Sequence, residues 1–204
     1  MRCLIFGALP VAKLPFAVKK DDFVIAADKG LATAKALGVQ PDLIVGDFDS
    51  LGYAPEAENV VRLNVRKDDT DVGYAINLAF ARGYRDFHVF GAVGGKLDHT
   101  VANIQLAADL AAKGASCTFY GDSERFTVLE NGALTLAPKD SGRVSVFSLL
   151  PRSEGVSIRG LSYGCDDAAI TDRFPIGVSN AFIGNEAEIS VKDGRLLIVW
   201  EEAL

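Results

Sequence analysis

Short apolar runs punctuate the first 120 residues, at 3–6, 23–27, 43–45, 60–65, 87–90 and 117–120. Each is too short for a buried helix, and turn residues bound most of them, so they predict strands. Between several of them the apolar positions recur with helical spacing, predicting helices over 31–37, 72–82 and 100–113. The last two stop at Gly83 and Gly114, where a helix-ending glycine belongs. Strand, helix, strand at this spacing predicts βαβ units and a mostly parallel sheet.

The texture changes after Gly121. Runs at 125–129 and 133–136 flank Asn131-Gly132, a dipeptide that supplies the positive φ of a tight hairpin turn, so a hairpin is predicted. Further strands are predicted at 144–150, 156–158, 187–191 and 195–200, with Asp193-Gly194 turning the last pair. No helical period of useful length appears in this half. The expected fold class is therefore α/β, with a mostly parallel N-terminal domain over 1–123 and a smaller all-β sandwich over 124–204.

A chain of 204 residues is long enough to bury a real core in either part. Its net charge of -6 and pI near 5.0 argue against nucleic-acid binding, whose footprint is a basic patch. No stretch reaches the ~20 apolar residues of a membrane span, and the apolar run at 3–6 is too short for a signal peptide. Cys3, Cys117 and Cys165 are too scattered for a disulfide framework or a Cys-x-x-Cys site. A soluble, cytoplasmic protein is expected.

The charge distribution says more than its sum. Between 42 and 71, Asp42, Asp47, Asp49, Glu56, Glu58, Asp68, Asp69 and Asp71 face only Arg62, Arg66 and Lys67, a concentration that repels a nucleotide unless a cation stands between. Asp47 and Asp49 follow the strand at 43–45, and the carboxyl ends of parallel strands are where open α/β sheets bind ligands. In Lys67-Asp-Asp-Thr-Asp71 a helix cap needs only Asp69 or Thr70, and the cluster exceeds that need. A third element, Gly91-Ala-Val-Gly-Gly-Lys-Leu-Asp-His-Thr100, links a strand to a helix, the place where backbone N–H groups cradle phosphate, although it matches neither a Walker A loop nor Gly-x-Gly-x-x-Gly. Asp98 there also reads as a plain helix cap. Hard oxygen donors beside a Gly-rich turn point to a Mg-nucleotide. With His88 and His99 the only histidines and no Gly-x-Ser-x-Gly elbow, serine-hydrolase chemistry has little to rest on.

Together, Ala27-Asp-Lys-Gly30, Pro41-Asp-Leu-Ile-Val-Gly-Asp-Phe-Asp-Ser50, Lys67-Asp-Asp-Thr-Asp71, Gly94-Gly-Lys-Leu-Asp-His99 and the late Gly177-Val-Ser-Asn180 resemble the thiamin pyrophosphokinase family in order and spacing. The resemblance implies transfer of diphosphate from ATP to the hydroxyl of thiamin, giving thiamin diphosphate and AMP, by a homodimer with active sites at the subunit interface. It implies Mg2+ on Asp47, Asp49 and Asp71, with Asp49 and Asp71 catalytic. Asp28, Gly30, Lys67, Thr70, Gly94, Gly95, Lys96 and His99 would meet the nucleotide, and Asp98, Ser179 and Asn180 the thiamin. Two other readings stand beside it: a metal-dependent phosphohydrolase using the same acids on water, and a catalytically silent thiamin- or nucleotide-binding protein, motivated by Lys29 and Lys96 where that family commonly carries Gly and Arg.

Overall fold

The structure is a computed structural model that describes residues 1–48, 59–63 and 69–202. Chain contacts divide it into two compact units, one of Met1–Leu106 with Cys117–Asp122, the other of Ala107–Ser116 with Ser123–Ala203.

The first unit contains β1 (Arg2–Phe6), β2 (Phe23–Ala27), α1 (Gly30–Ala36), β3 (Leu43–Gly46), β4 (Val60–Arg62), α2 (Asp71–Ala81), β5 (Asp86–Phe90), the start of α3 (Leu97–Ala112) and β6 (Ser116–Tyr120). Its strands lie in the order β6-β5-β1-β2-β3-β4. β1 pairs in parallel with both β2 and β5, and β2–β3 and β3–β4 are parallel too. Cys3, Leu4, Ile5 and Phe6 are all fully buried, so both faces of β1 are covered. That double burial is why the strands read as unbroken apolar runs, without alternation. Leu4, Phe6, Val24, Phe90 and Tyr120 form one core cluster, against which Val11, Leu14, Phe16 and Val18 of the β1–β2 connection pack.

Helix α2 starts where its cap predicts: Thr70 is extended, and its side chain accepts from the Gly73 N–H at 3.0 Å. Helix α3 begins at Leu97, a turn earlier than the expected 100. Its first turn shows no apolar period because it is solvated; Leu97 is 78% exposed. The strand expected at 60–65 ends at Arg62, and 64–65 lie outside the described residues.

The second unit holds two antiparallel sheets, built from β7 (Glu124–Glu130), β8 (Ala133–Leu136), β9 (Arg143–Ser148), β10 (Ser153–Arg159), β11 (Cys165–Ile170), β12 (Asn180–Ala181), β13 (Ala187–Ser190) and β14 (Arg195–Glu201). One sheet runs β12-β9-β14-β7 and the other β11-β10-β13-β8. Val144, Val146, Leu196 and Ile198 from the first share an apolar cluster with Val156, Ile158, Ala187 and Ile189 from the second.

Two expected pairings do not form. The Asn131-Gly132 turn does not close a hairpin: β7 pairs with β14, and β8 pairs with β13 in the other sheet. Nor does Asp193-Gly194 pair the last two strands, since β13 and β14 also belong to different sheets. Both are sheet-switching turns, and they bind each other. Asn131 has the positive φ of +46° anticipated for it, but its Oδ1 accepts from the Gly194 N–H at 2.9 Å and its own N–H donates to Gly194 O at 3.2 Å.

Candidate active site

The strand order dictates where a ligand fits. From β1 the chain winds outward through β2, β3 and β4, whereas β5 lies on the other side of β1, so the sheet reverses direction between β1 and β5. Open parallel sheets bind ligands at the carboxyl ends of the strands beside such a reversal. A cleft of about 440 Å³ opens there, within the range of small-molecule sites. Ala8 and Leu9 follow β1, Ala27 and Asp28 end β2, and Gly91 and Ala92 follow β5; all six line it.

Each polar side chain in the cleft has a local reason for its place. Asp28 turns the chain out of β2 with φ +50°, its N–H donating to Val45 O at 2.8 Å. Two residues on, α1 starts so close to β1 that a Cβ on Gly30 would stand 1.9 Å from Phe6 O. Gly30 is therefore a packing requirement behind the cleft and does not line it. Lys29, at the cap position of α1, is exposed and outside the cleft.

Asp69, Thr70 and Asp71 enter from the start of α2. The Asp69 carboxylate is held on both oxygens, by the Thr70 N–H at 2.8 Å and by Asn77 Nδ2 at 3.0 Å. Gly95, Lys96 and His99 enter from the turn and first residues of α3. Gly94 and Asp98 are exposed and do not line the cleft; Asp98 lies inside the first turn of α3, not at its cap, and accepts the His99 N–H at 2.9 Å.

Of the expected site residues, the cleft thus gathers Asp28, Thr70, Asp71, Gly95, Lys96 and His99. Asp47, just past β3, is half-buried and does not line it. Asp49 and Lys67 lie outside the described residues. Ser179 and Asn180 belong to the second unit. Ser179 is exposed with φ +60°, and the buried Asn180 clasps the Tyr163 backbone, accepting from its N–H at 2.9 Å and donating to its carbonyl at 2.6 Å. Asp69, expected only as a possible helix cap within its acidic cluster, and Asn103, part of no motif, also line the cleft; Asn103 is signalled only by standing four residues beyond His99, on the same helix face.

Chemically, the cleft presents three carboxylates, of Asp28, Asp69 and Asp71, against one ammonium, of Lys96, among the described residues. Carboxylates are hard oxygen donors suited to Mg2+, which takes one or two of them and completes its shell with phosphate and water. No three His, Cys, Asp or Glu side chains among the described residues come together as a ready cage. Thiol chemistry has no place here: burial pushes the Cys3 thiol up to about 12 and raises the fully buried Cys117 as well.

A parallel sheet carrying an acidic, Gly-rich cleft at its reversal point, with a separate all-β unit, defines a phosphate-handling α/β enzyme. The known proteins that this chain is similar to narrow that class. Residues 15–119 match the thiamin pyrophosphokinase catalytic domain, and residues 135–196 the thiamin pyrophosphokinase vitamin B1 binding domain. The chain is 25% identical over 186 residues to the thiamine pyrophosphokinase of Bacillus subtilis, covering 86% of this chain and 85% of that one. The fold is shared with the crystal structures of thiamine pyrophosphokinase from Bacillus subtilis (TM-score 0.87, 22% identity, all of both chains) and from Geobacillus thermodenitrificans (TM-score 0.83, 24% identity, 99% and 98% of the chains). It is shared at greater distance with that from Candida albicans (TM-score 0.75, 16% identity, 98% and 88%). The chain belongs to the thiamin pyrophosphokinase family, whose activity is thiamin diphosphate synthesis by pyrophosphoryl transfer. Among the described residues no helix is long and apolar enough to cross a membrane.

Proposed function

We propose that the chain transfers the terminal diphosphate of ATP, as its Mg2+ complex, to the hydroxyl of thiamin, releasing AMP and thiamin diphosphate. The observation that carries this reading is the meeting of Asp69, Asp71, Lys96 and His99 with a Gly-rich turn at the reversal point of the sheet. Phosphoryl-group transfer needs little covalent help from protein; it needs positioned reactants and neutralised phosphate oxygens. Lys96 and His99, which line the cleft, would meet those oxygens, and the carboxylate excess calls for a divalent cation between protein and polyphosphate. By family resemblance Mg2+ would be held by Asp71, which lines the cleft, with Asp47 and Asp49, and would supply charge neutralisation on the diphosphate being moved. Asp71 orients the thiamin hydroxyl and accepts its proton as the oxygen bonds to the β-phosphorus and the bridge to the α-phosphate breaks. Asp98, Ser179 and Asn180 are assigned to the thiamin end, and a homodimer to the working form, by family resemblance.

The decisive experiment incubates the protein with ATP, Mg2+ and thiamin and separates the products. AMP and thiamin diphosphate in equal amounts, both dependent on thiamin, are expected. AMP formed at the same rate without thiamin would instead make the chain a phosphohydrolase, and ligand binding without turnover a silent binder.

A further inference from the structure

We infer that Asn103 is a positioning residue of the nucleotide site, one that sets the rotation of the Gly-rich turn; the inference rests on the nucleotide reading of the cleft given above. Asn103 is 5% exposed, an unusual depth for an amide, and it lines the cleft one helical turn beyond His99. Its Nδ2 donates to Ala92 O at 2.7 Å. Ala92 is the second residue of the turn that carries Gly95 and Lys96 into the same cleft.

The turn is held from both sides. On the β1 side, the Gly7 N–H donates to Phe90 O at 2.7 Å and the Leu9 N–H to Gly91 O at 2.9 Å. The next carbonyl, Ala92 O, is the one that Asn103 takes. A peptide unit is planar and trans, so its C=O and N–H point in opposite directions. Fixing Ala92 O on Asn103 therefore fixes the direction of the Val93 N–H, at the start of the stretch whose backbone donors would face phosphate. Asn103 also ties that stretch to α3, the helix that presents His99, so one buried amide sets the spacing between the two. A helix needs no side-chain bond to a preceding loop for its own stability, and a buried polar group is retained at a cost unless it is bonded.

The test measures ATP binding by calorimetry, with Mg2+ and without thiamin, on the wild type, Asn103→Asp and Asn103→Leu. Asp keeps the shape and turns the donor into an acceptor facing Ala92 O; Leu keeps the volume and removes the donor. Both are expected to bind ATP about tenfold more weakly, the factor equivalent to ~1.4 kcal/mol, with the KM for thiamin unchanged. Wild-type affinity in either variant, folded at the assay temperature, overturns the inference. A measurement on the intact protein guards against variants that do not fold: the Asn103 side-chain amide resonance should shift when ATP saturates the cleft, and a resonance that stays put while ATP binds overturns the inference too. A wild type that binds ATP and shows these effects yet makes no thiamin diphosphate sinks the transfer reading and leaves Asn103 in its role. Normal binding and transfer by Asn103→Asp sinks the role alone, and a wild type that binds no ATP sinks both.

Discussion

Gly73 shows how a single side chain, or its lack, decides the site. In a helix interior glycine is ordinarily a defect that alanine repairs by ~1 kcal/mol. Here a Cβ on Gly73 would stand 2.0 Å from Asp69 Oδ1 and 3.1 Å from Thr70 Oγ1, the two groups that open α2 and line the cleft. Asp69 cannot swing aside freely, because the Thr70 N–H and Asn77 hold both its oxygens. Overpacking of this kind costs ~1–3 kcal/mol and outweighs the propensity gain. Gly73→Ala is thus expected to lower stability in urea titrations and to cut thiamin-dependent AMP formation. A stabilised, fully active variant would show that Asp69 is not held as described. Residues of this sort divide by legibility. Thr70 and Asp71 stand out because charged and polar side chains crowd into Lys67-Asp-Asp-Thr-Asp71, and Lys96 and His99 through the family resemblance of their Gly-rich turn, whereas Asn103 does not, since one buried amide in a helix looks like any other until Ala92 O is seen beside it.

At the scale of elements, local chemistry reported turns and strands well and their pairing less well. The positive φ favoured by Asn131 is real, but a turn's dihedral preference does not say whether the departing strand stays in its sheet. β11 was missed because Cys165–Ile170 is an edge strand with little burial, so it carries no apolar alternation. The connection from β1 to β2 illustrates what such patterns cannot show: its anchor is an ion pair. Arg2 on β1 donates through Nε to Asp22 Oδ1 at 2.9 Å and through Nη2 to Ala17 O at 3.1 Å, while its guanidinium lies 4.3 Å over the Phe16 ring. The Asp22 carboxylate also caps the turn by accepting the Lys19 N–H at 2.8 Å. The hydrogen bond from Arg2 holds the Asp22 carboxyl below its ordinary value, against the opposing effect of burial. A depressed carboxyl stabilises the fold above its unfolded pKa of about 4, and that contribution is lost as pH falls through the lower folded value. Asp22→Asn is expected to cost on the order of 1–3 kcal/mol near neutral pH. The gap to the wild type should begin to narrow as the pH drops below about 4, where Asp22 of the unfolded chain takes up a proton, and should close once the folded carboxyl, which titrates lower, is protonated as well. Denaturation curves at several pH values measure it; a gap that stays constant down to pH 3 would mean the charge of Asp22 contributes nothing.

At the scale of the molecule, the proposed homodimer has a physical counterpart in the second unit. Tyr163, Phe174, Ile176, Val178 and Ile183 are 75%, 68%, 68%, 47% and 49% exposed. Single exposed apolar residues need no explanation, but five large ones within one stretch of chain do. Fully burying such a side chain is worth ~1.5–3 kcal/mol, and these are already partly covered, so covering all five contributes on the order of 5 kcal/mol. That is close to the low end of the roughly 4–15 kcal/mol cost of association. The balance is then fine enough for two substitutions to tip it. Phe174→Asp combined with Ile176→Asp removes two of the five and places two carboxylates in their stead. In sedimentation, the wild type should run at twice the 21.7 kDa chain mass and the double variant at the chain mass. Because the family resemblance assigns thiamin contacts to Ser179 and Asn180 across a dimer, the monomeric variant should lose thiamin-dependent turnover. It should still bind Mg-ATP if the proposed assignment of the cleft is right, since every residue lining the cleft lies in the first unit. A wild type that is active as a monomer would remove the dimer from the mechanism, and a variant that is monomeric yet fully active would place the thiamin site within one chain.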